Sequence, residues 1–154
     1  MKIFTLSKEI ILPIPIKQAW SFFSNPLNLK RITPPEMNFH VLTANLPEDI
    51  FPGLMIQYSV SPLRGIKMKW LSEIKHVNEP YSFIDEQRSG PYSFWYHRHS
   101  FSEIGNTTLM KDLVYYSLPF YLIGSITHSL YVKNKLEKIF DYRTMVIHEI
   151  FKGN

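Results

Sequence analysis

The sequence contains no cysteine and only six glycines in 154 residues. Without cysteine, a chain has no disulfide framework, no thiolate zinc site and no cysteine nucleophile. The scattered glycines form neither a GxGxxG fingerprint nor a phosphate-binding loop, and no GxSxG nucleophile elbow is present. These absences disfavour nucleotide-dependent chemistry and hydrolysis by a nucleophile-elbow serine.

Long apolar runs and blocks of like charge are absent as well. No stretch approaches the roughly 18 apolar residues of a membrane span, and residues 1–12 lack the apolar run of a signal peptide. The 17 basic residues exceed the 13 acidic ones by four, but they are dispersed along the chain. We therefore expect a cytoplasmic protein that has no integral membrane segment and does not bind nucleic acid.

The chain is rich in the residues that build a core. Hydrophobic residues make up 45% of it and aromatic residues 15%, which disfavours disorder. No linker, repeat or low-complexity tract divides the sequence. We therefore expect a single domain over residues 1–154.

Hydrophobic periodicity predicts an α+β fold. Alternating apolar residues indicate strands over 3–12, 38–44, 54–61, 66–77, 81–88, 93–104 and 107–116. Two short helices follow the first strand, one beginning near Pro15 and one over residues 26–32. A helical period over 126–151 places Val132, Leu136, Ile139, Val146 and Ile150 on one stripe. This order predicts a curved antiparallel sheet with a long C-terminal helix lying across it.

Five segments spread over nearly the whole chain resemble the SRPBCC (START-like, birch-pollen-allergen-like) superfamily. They cover 12–41, 52–74, 83–101 (FIDEQRSGPYSFWYHRHSF), 108–120 and 136–143 (LEKIFDYR). Within the superfamily, the chain is most similar to a bacterial ligand-binding family of the polyketide cyclase-like type. The resemblance implies a helix-grip fold with an internal, mostly apolar pocket. The sequence departs from the pattern at Tyr121, where the family has glycine.

The superfamily includes lipid carriers, hormone receptors, cyclases and co-chaperones, so its fold does not determine one function. The resemblance implies a protein that binds a hydrophobic or amphipathic small molecule. This branch also occurs fused to epimerase-like domains, which makes a partner enzyme an alternative. We expect no cofactor.

The Gly105–Asn106 turn predicts which residues face each other across the last hairpin. If its loop has two residues, the pairs are Trp95 with Tyr116, His97 with Val114 and His99 with Asp112. We therefore expect His97, His99 and Asp112 to point toward the cavity.

A histidine beside an aspartate in an apolar pocket has three possible roles. His99 and Asp112 are candidate catalytic residues, because a carboxylate can orient an imidazole that acts as general base. The pair can equally anchor a ligand, or simply satisfy its own hydrogen bonds in the core. His97, His99 and Asp112 also resemble a two-histidine, one-carboxylate metal set, but this spacing is common in strands and we predict no metal.

The inward orientation of two further charged positions stays open. Either Asp85 or Glu86 faces the cavity, depending on the length of the turn after their strand. Arg143 lies on the apolar stripe of the last helix. It either extends to the rim or pairs internally with a carboxylate, because an unpaired buried charge is costly.

Aromatic residues complete the predicted pocket. Tyr58, Trp70, Trp95, Tyr115 and Tyr116 could line a site for a flat or greasy ligand, or could simply fill the core. The predicted ligand-binding residues are Tyr58, Trp70, Glu86, Trp95, His97, His99, Asp112, Tyr116 and Arg143.

Three functions follow from this set. The first is a small-molecule binding protein. The second is an enzyme of cyclase or dehydratase type that uses the histidine–aspartate pair. The third is an interaction protein that acts on a partner enzyme and whose cavity is collapsed.

Overall fold

A computed structural model describes residues 1–63, 66–119 and 126–152. Within these ranges the chain forms seven strands, two α-helices and two 3-10 helices. The strands are β1 (Phe4–Leu12), β2 (His40–Val41), β3 (Met55–Leu63), β4 (Ile66–Asn78), β5 (Ser82–Ser89), β6 (Phe94–Ile104) and β7 (Thr107–Ser117). The helices are α1 (Ile16–Phe23) and α2 (Ile126–Phe151), with 3-10 helices at Pro26–Ile32 and Pro35–Met37. Among the helices in these ranges, none is long and apolar enough to cross a membrane.

All seven strands form one antiparallel sheet in the order β1-β7-β6-β5-β4-β3-β2. The predicted hairpin register is confirmed, since Ile104 pairs with Thr107 and His99 pairs with Asp112. Together with the C-terminal helix, this sheet confirms the predicted helix-grip α+β fold. The register also puts the inward residues of β5, β6 and β7 side by side.

One predicted strand is much shorter than expected. Residues 38–44 contribute only His40–Val41 to the sheet. Beyond Val41 the ladder fails because the amides of Leu42 and Thr43 both approach the Gln57 carbonyl, at 2.8 and 3.4 Å. The Thr43 hydroxyl then accepts the hydrogen bond of the Gln57 amide, at 2.7 Å. The Thr43 hydroxyl therefore takes the place of a backbone carbonyl as the acceptor for the Gln57 amide.

The sheet bends at irregular positions in β3, β4 and β5. The register shifts between Val60 and Leu63, between Leu71 and Ser72, and between Lys75 and Asn78. An extra residue on one strand bends that strand and increases its twist. The bends let the sheet curve around the helices on its concave face.

The segment after β1 folds back as the two predicted short helices. Pro15 precedes α1, and Ser24 is its C-cap. The helix does not continue because Pro26 restricts Asn25 to extended backbone. The Asn25 side chain then accepts a hydrogen bond from the Leu27 amide at 3.0 Å and begins the 3-10 helix. The second predicted helix is therefore 3-10 and not α-helical.

The long helix α2 has the predicted extent but presents a shifted face to the sheet. Its 26 residues span about 39 Å. Its buried face consists of Leu136, Phe140, Arg143, Ile147 and Phe151, whereas Val132, Ile139, Val146 and Ile150 are half-buried. The buried face is therefore shifted from the predicted stripe and shares only Leu136 with it, and Ile147 is its most buried residue. Tyr121 lies outside the described residues.

The buried face of α2 supports the fold by packing against the core. Ile147 is 1% exposed and joins the main hydrophobic cluster, whereas Met145 on the same helix is 51% exposed. We expect Ile147→Ala to lower the free energy of unfolding by about 2–5 kcal/mol, because it leaves a cavity in a packed interior. Urea denaturation measures this difference.

Met145→Ala is the matched control on the same helix. It should change the free energy of unfolding by no more than about 0.5 kcal/mol. Equal effects of the two substitutions would show that α2 is not packed through Ile147.

Candidate functional site

A cavity of about 260 Å³ lies between the concave face of the sheet and α2. Its walls come from β3 to β6, from α1 and the first 3-10 helix, and from α2. Most of the lining is apolar or aromatic. The polar lining includes Asp85, His97 and His99 on the sheet and Arg143 and Lys135 on the helix. Ligand pockets typically have this composition, with a mostly hydrophobic lining and a few polar groups that orient the ligand.

Two aspartates and two histidines form a closed ring in the sheet under this cavity. His97 Nε2 lies 2.9 Å from Asp112 Oδ1, and His97 Nδ1 lies 3.2 Å from Asp85 Oδ2. His99 Nε2 lies 2.9 Å from Asp85 Oδ2. His99 Nδ1 also lies 2.9 Å from Asp112 Oδ1, but it is not aligned for a hydrogen bond. Each imidazole is therefore held between two carboxylates.

The three strands that supply this ring are neighbours in the sheet. Asp85 is on β5 opposite His97 of β6, and His99 of β6 is opposite Asp112 of β7. Residues two apart on a strand share a face, so His97 and His99 point to the same side. Their ring centroids are 3.8 Å apart. A slip of one residue in either pairing would remove an aspartate from this face.

Aromatic side chains hold the two imidazoles in place. The Phe83 ring stacks on His99 with a centroid distance of 4.2 Å. Phe140 of α2 meets His97 edge-on at 5.6 Å. Trp95 Nε1 donates a hydrogen bond to Asp85 Oδ1 at 3.3 Å. Aromatic side chains from the sheet and from α2 thus pack directly against the polar ring.

Burial and charge act in opposite directions on the pKa values of the ring. Burial alone would lower the pKa of His97, but Asp85 and Asp112 more than offset it and raise that pKa to about 9. Burial alone would raise the pKa of each aspartate, but the two histidines more than offset it and hold both values well below the usual range. His97 is therefore an imidazolium between two carboxylates at neutral pH.

The structure places six of the predicted residues in the cavity wall. These residues are Tyr58, Trp70, Trp95, His97, His99 and Arg143. Burial and then the charge of Asp85 raise the pKa of Tyr58, so its phenol stays protonated. Asp112 lies behind the two imidazoles and not in the cavity wall, because it is buried on β7 between β1 and β6. It reaches the cavity only through the histidines.

Two predicted site residues are placed elsewhere, and both predictions are wrong. Glu86 lies on the opposite face of β5, where its carboxylate is 3.2 Å from the ammonium of Lys75. Tyr116 is 1% exposed and packs in the core against Phe4, at a ring distance of 5.5 Å, and not in the cavity wall. Tyr115 faces outward and lies 6.1 Å from Tyr96.

Asp85 answers the question that the sequence left open. The pairing of Asp85 with His97 turns this aspartate inward and its neighbour Glu86 outward. No local signal in the sequence decides between them, since both are acidic and adjacent. Sequence reasoning also missed Phe83 and Phe140, which position the imidazoles.

Arg143 is buried on α2 without the carboxylate partner considered above. Its side chain borders the cavity and stacks over Phe140, with 4.7 Å from the guanidinium carbon to the ring centroid. Among the described residues, no acidic group lies within ion-pair distance of it, and its Nε has no hydrogen-bond partner. The internal salt bridge, one of the two alternatives for Arg143, is therefore absent from the part of the chain that the structure describes.

Comparisons with known proteins identify the fold. A scan of protein-family models and a search of curated proteins find no match to this sequence. Among solved structures, a START superfamily protein from Mycobacterium smegmatis superimposes with a TM-score of 0.72 at 13% identity. The alignment covers 96% of this chain and 97% of that protein. The chain has the START-like fold.

Two further solved structures are similar to this chain in fold. Ara h 8.0201 matches with a TM-score of 0.63 at 14% identity, over 96% of this chain and 99% of that one. A nucleoside-diphosphate sugar epimerase from Corynebacterium glutamicum matches with a TM-score of 0.69 at 20% identity. There, 96% of this chain aligns with only 29% of the epimerase chain. At these identities the comparisons show the fold alone.

The charges of the ring predict that the protein loses stability when Asp112 is replaced, because the Asp112 side chain is only 7% exposed. We expect Asp112→Asn to lower the free energy of unfolding by about 3–5 kcal/mol, because it removes one of the two charges that compensate a buried imidazolium. Chemical denaturation at neutral pH measures the change.

Asp141→Asn is the control, because the side chain of Asp141 is 63% exposed and pairs with Lys8 at the surface. This substitution should cost no more than about 1 kcal/mol. If Asp112→Asn lowered the free energy of unfolding as little as Asp141→Asn does, this result would contradict a charged ring.

Proposed function

We propose that this START-like protein binds a hydrophobic or amphipathic small molecule in the cavity between the sheet and α2. The observation that carries the proposal is the cavity itself, which is about 260 Å³ in volume and mostly apolar. This volume lies close to the lower end of the roughly 300–1,000 Å³ of ligand pockets, which favours a small ligand. The cavity also disfavours an interaction protein whose interior is collapsed.

The aromatic wall supports contact with the apolar part of the ligand. Tyr58 and Trp70 border the cavity from β3 and β4, and Trp95 borders it from β6. Burying apolar surface against them contributes about 25 cal/mol per Å². A chain or ring system would therefore occupy the space between these strands and α2.

Arg143 supports an anionic head group on that ligand. Its guanidinium is buried, borders the cavity and has no acidic partner among the described residues. A buried charge without a partner is costly, so a carboxylate on the ligand would remove that cost. Asp85 and the two histidines on the opposite wall provide further polar contacts.

Mass spectrometry of the purified protein, native and then denatured, tests occupancy of the cavity. We expect a reproducible bound small molecule, or reversible binding of octanoate by the empty protein. Ile139→Trp should weaken octanoate binding by about 10-fold or more, because the half-buried Ile139 borders the cavity and a larger side chain there fills it.

The control is Met145→Trp, which adds the same side chain at an exposed position of α2. It should leave octanoate binding unchanged. Binding that survives Ile139→Trp, or that falls equally in both variants, would place the ligand outside the cavity.

A matched pair of ligands tests the role of Arg143, because octanoate and 1-octanol differ in charge but share a chain length. Arg143→Met should weaken octanoate binding by about 10–100-fold, since hydrogen bonds to a charged group contribute about 1.5–3 kcal/mol. It should change 1-octanol binding much less. Titration calorimetry measures both affinities.

Lys133→Met controls for the loss of positive charge on α2, because Lys133 is exposed at the surface. It should affect neither ligand. Equal losses of octanoate and 1-octanol in Arg143→Met would show that Arg143 supports the cavity wall but does not bind the head group.

An enzyme of cyclase or dehydratase type is the second candidate. One observation favours it: His99 borders the cavity, and its Nε2 lies within hydrogen-bond distance of Asp85. An imidazole held this way can transfer a proton in a pocket poor in water. His99→Ala would then abolish turnover while ligand binding persists, whereas a binding protein would show altered affinity alone.

A further inference from the structure

Three donor atoms in the ring lie at the spacing of ligands around one metal ion. Asp85 Oδ2 is 3.2 Å from His97 Nδ1 and 2.9 Å from His99 Nε2, and the three atoms lie within 4.8 Å of one another. Donors at about 2.0–2.2 Å from a metal, at angles between square and tetrahedral, are about 3 Å apart. These side chains therefore need little movement to share an ion.

Asp112 occupies the position of a residue that orients metal-binding histidines. The opposite nitrogens of the two rings, His97 Nε2 and His99 Nδ1, both lie 2.9 Å from Asp112 Oδ1. Histidines that bind a metal usually donate their other N–H to a carboxylate, which sets the tautomer and the ring orientation. One carboxylate would serve both rings here.

The charge of the ring suits a divalent cation. In the metal-binding form of the ring, two carboxylates and two neutral imidazoles carry two negative charges, which a divalent ion cancels. Asp112 is buried, and the half-buried Asp85 borders the cavity, so neither charge is fully compensated by water. On binding, His97 Nδ1 would release its imidazolium proton to solvent, and His99 would bind through Nε2 with its remaining N–H on Nδ1, toward Asp112.

The accessible side of the ring faces the cavity. Asp85, His97 and His99 border the cavity, whereas Asp112 does not. An ion held by these three would have coordination positions open toward a bound molecule. Two imidazoles and one carboxylate are donors that suit divalent zinc, iron or cobalt.

We propose that Asp85, His97 and His99 form a binding site for a divalent transition metal, with Asp112 as the positioning residue. The site differs from the set of His97, His99 and Asp112 that was considered from the sequence, where no metal was predicted, because the structure brings Asp85 to the cavity side. It stands on the ring geometry and does not depend on the nature of the bound small molecule.

Titration of chelator-treated protein with Zn²⁺ and with Co²⁺ tests this site. We expect one equivalent of Zn²⁺ to bind by calorimetry, and Co²⁺ to produce a visible absorption spectrum of nitrogen and oxygen coordination. His99→Gln should weaken Zn²⁺ binding by about 100-fold or more and remove the cobalt spectrum. His148→Gln, on the exposed face of α2, should match the parent protein.

Asp112→Asn separates positioning from a purely structural role. It should weaken Zn²⁺ binding by about 10–100-fold and shift the cobalt spectrum while one equivalent still binds. Circular dichroism confirms that each variant is folded before titration. A folded parent protein that binds neither ion, or binds both as tightly after His99→Gln, overturns the metal site.

Octanoate titrations of the same chelator-treated samples keep this inference separate from the proposed function. Octanoate binding without metal binding would overturn the metal site alone. Metal binding with no octanoate in the cavity would support the metal site and count against the proposed ligand.

Discussion

The compensation of two buried negative charges is the constraint on which the site depends. Asp85 and Asp112 lie on β5 and β7, and the histidines of β6 between them supply their partners. Because uncompensated charge in an interior is costly, the register of all three strands is tied to this ring. The strands that form the cavity floor are therefore aligned by the same residues that give the floor its polarity.

The helix α2 completes the site by covering this floor. Phe140 meets His97 edge-on and also lies under the Arg143 guanidinium, so one aromatic ring separates a cation on the helix from an imidazolium on the sheet. The remaining space is apolar and bordered by aromatic side chains. An amphipathic molecule fits this arrangement, because the cavity is mostly apolar and its walls carry a few polar side chains.

The fold was predictable from the sequence because its signals are local. Period-two alternation, the Gly105–Asn106 turn and the long helical period define the strands, one register and the position of α2. The site was only partly predictable. Asp85 and Glu86 are adjacent and both acidic. Which of them faces the cavity depends on the register between β5 and β6, which no local signal in the sequence reveals. Likewise, Tyr116 and Trp95 look alike in sequence, and tertiary packing alone sends one to the core and the other to the cavity.

A crystal structure of the protein with octanoate would locate the ligand. We expect electron density for one octanoate between the sheet and α2, with its carboxylate on Arg143 and its chain along the aromatic wall. Density for octanoate on the outer surface, with the cavity filled only by ordered water, would contradict a ligand-binding role for the cavity.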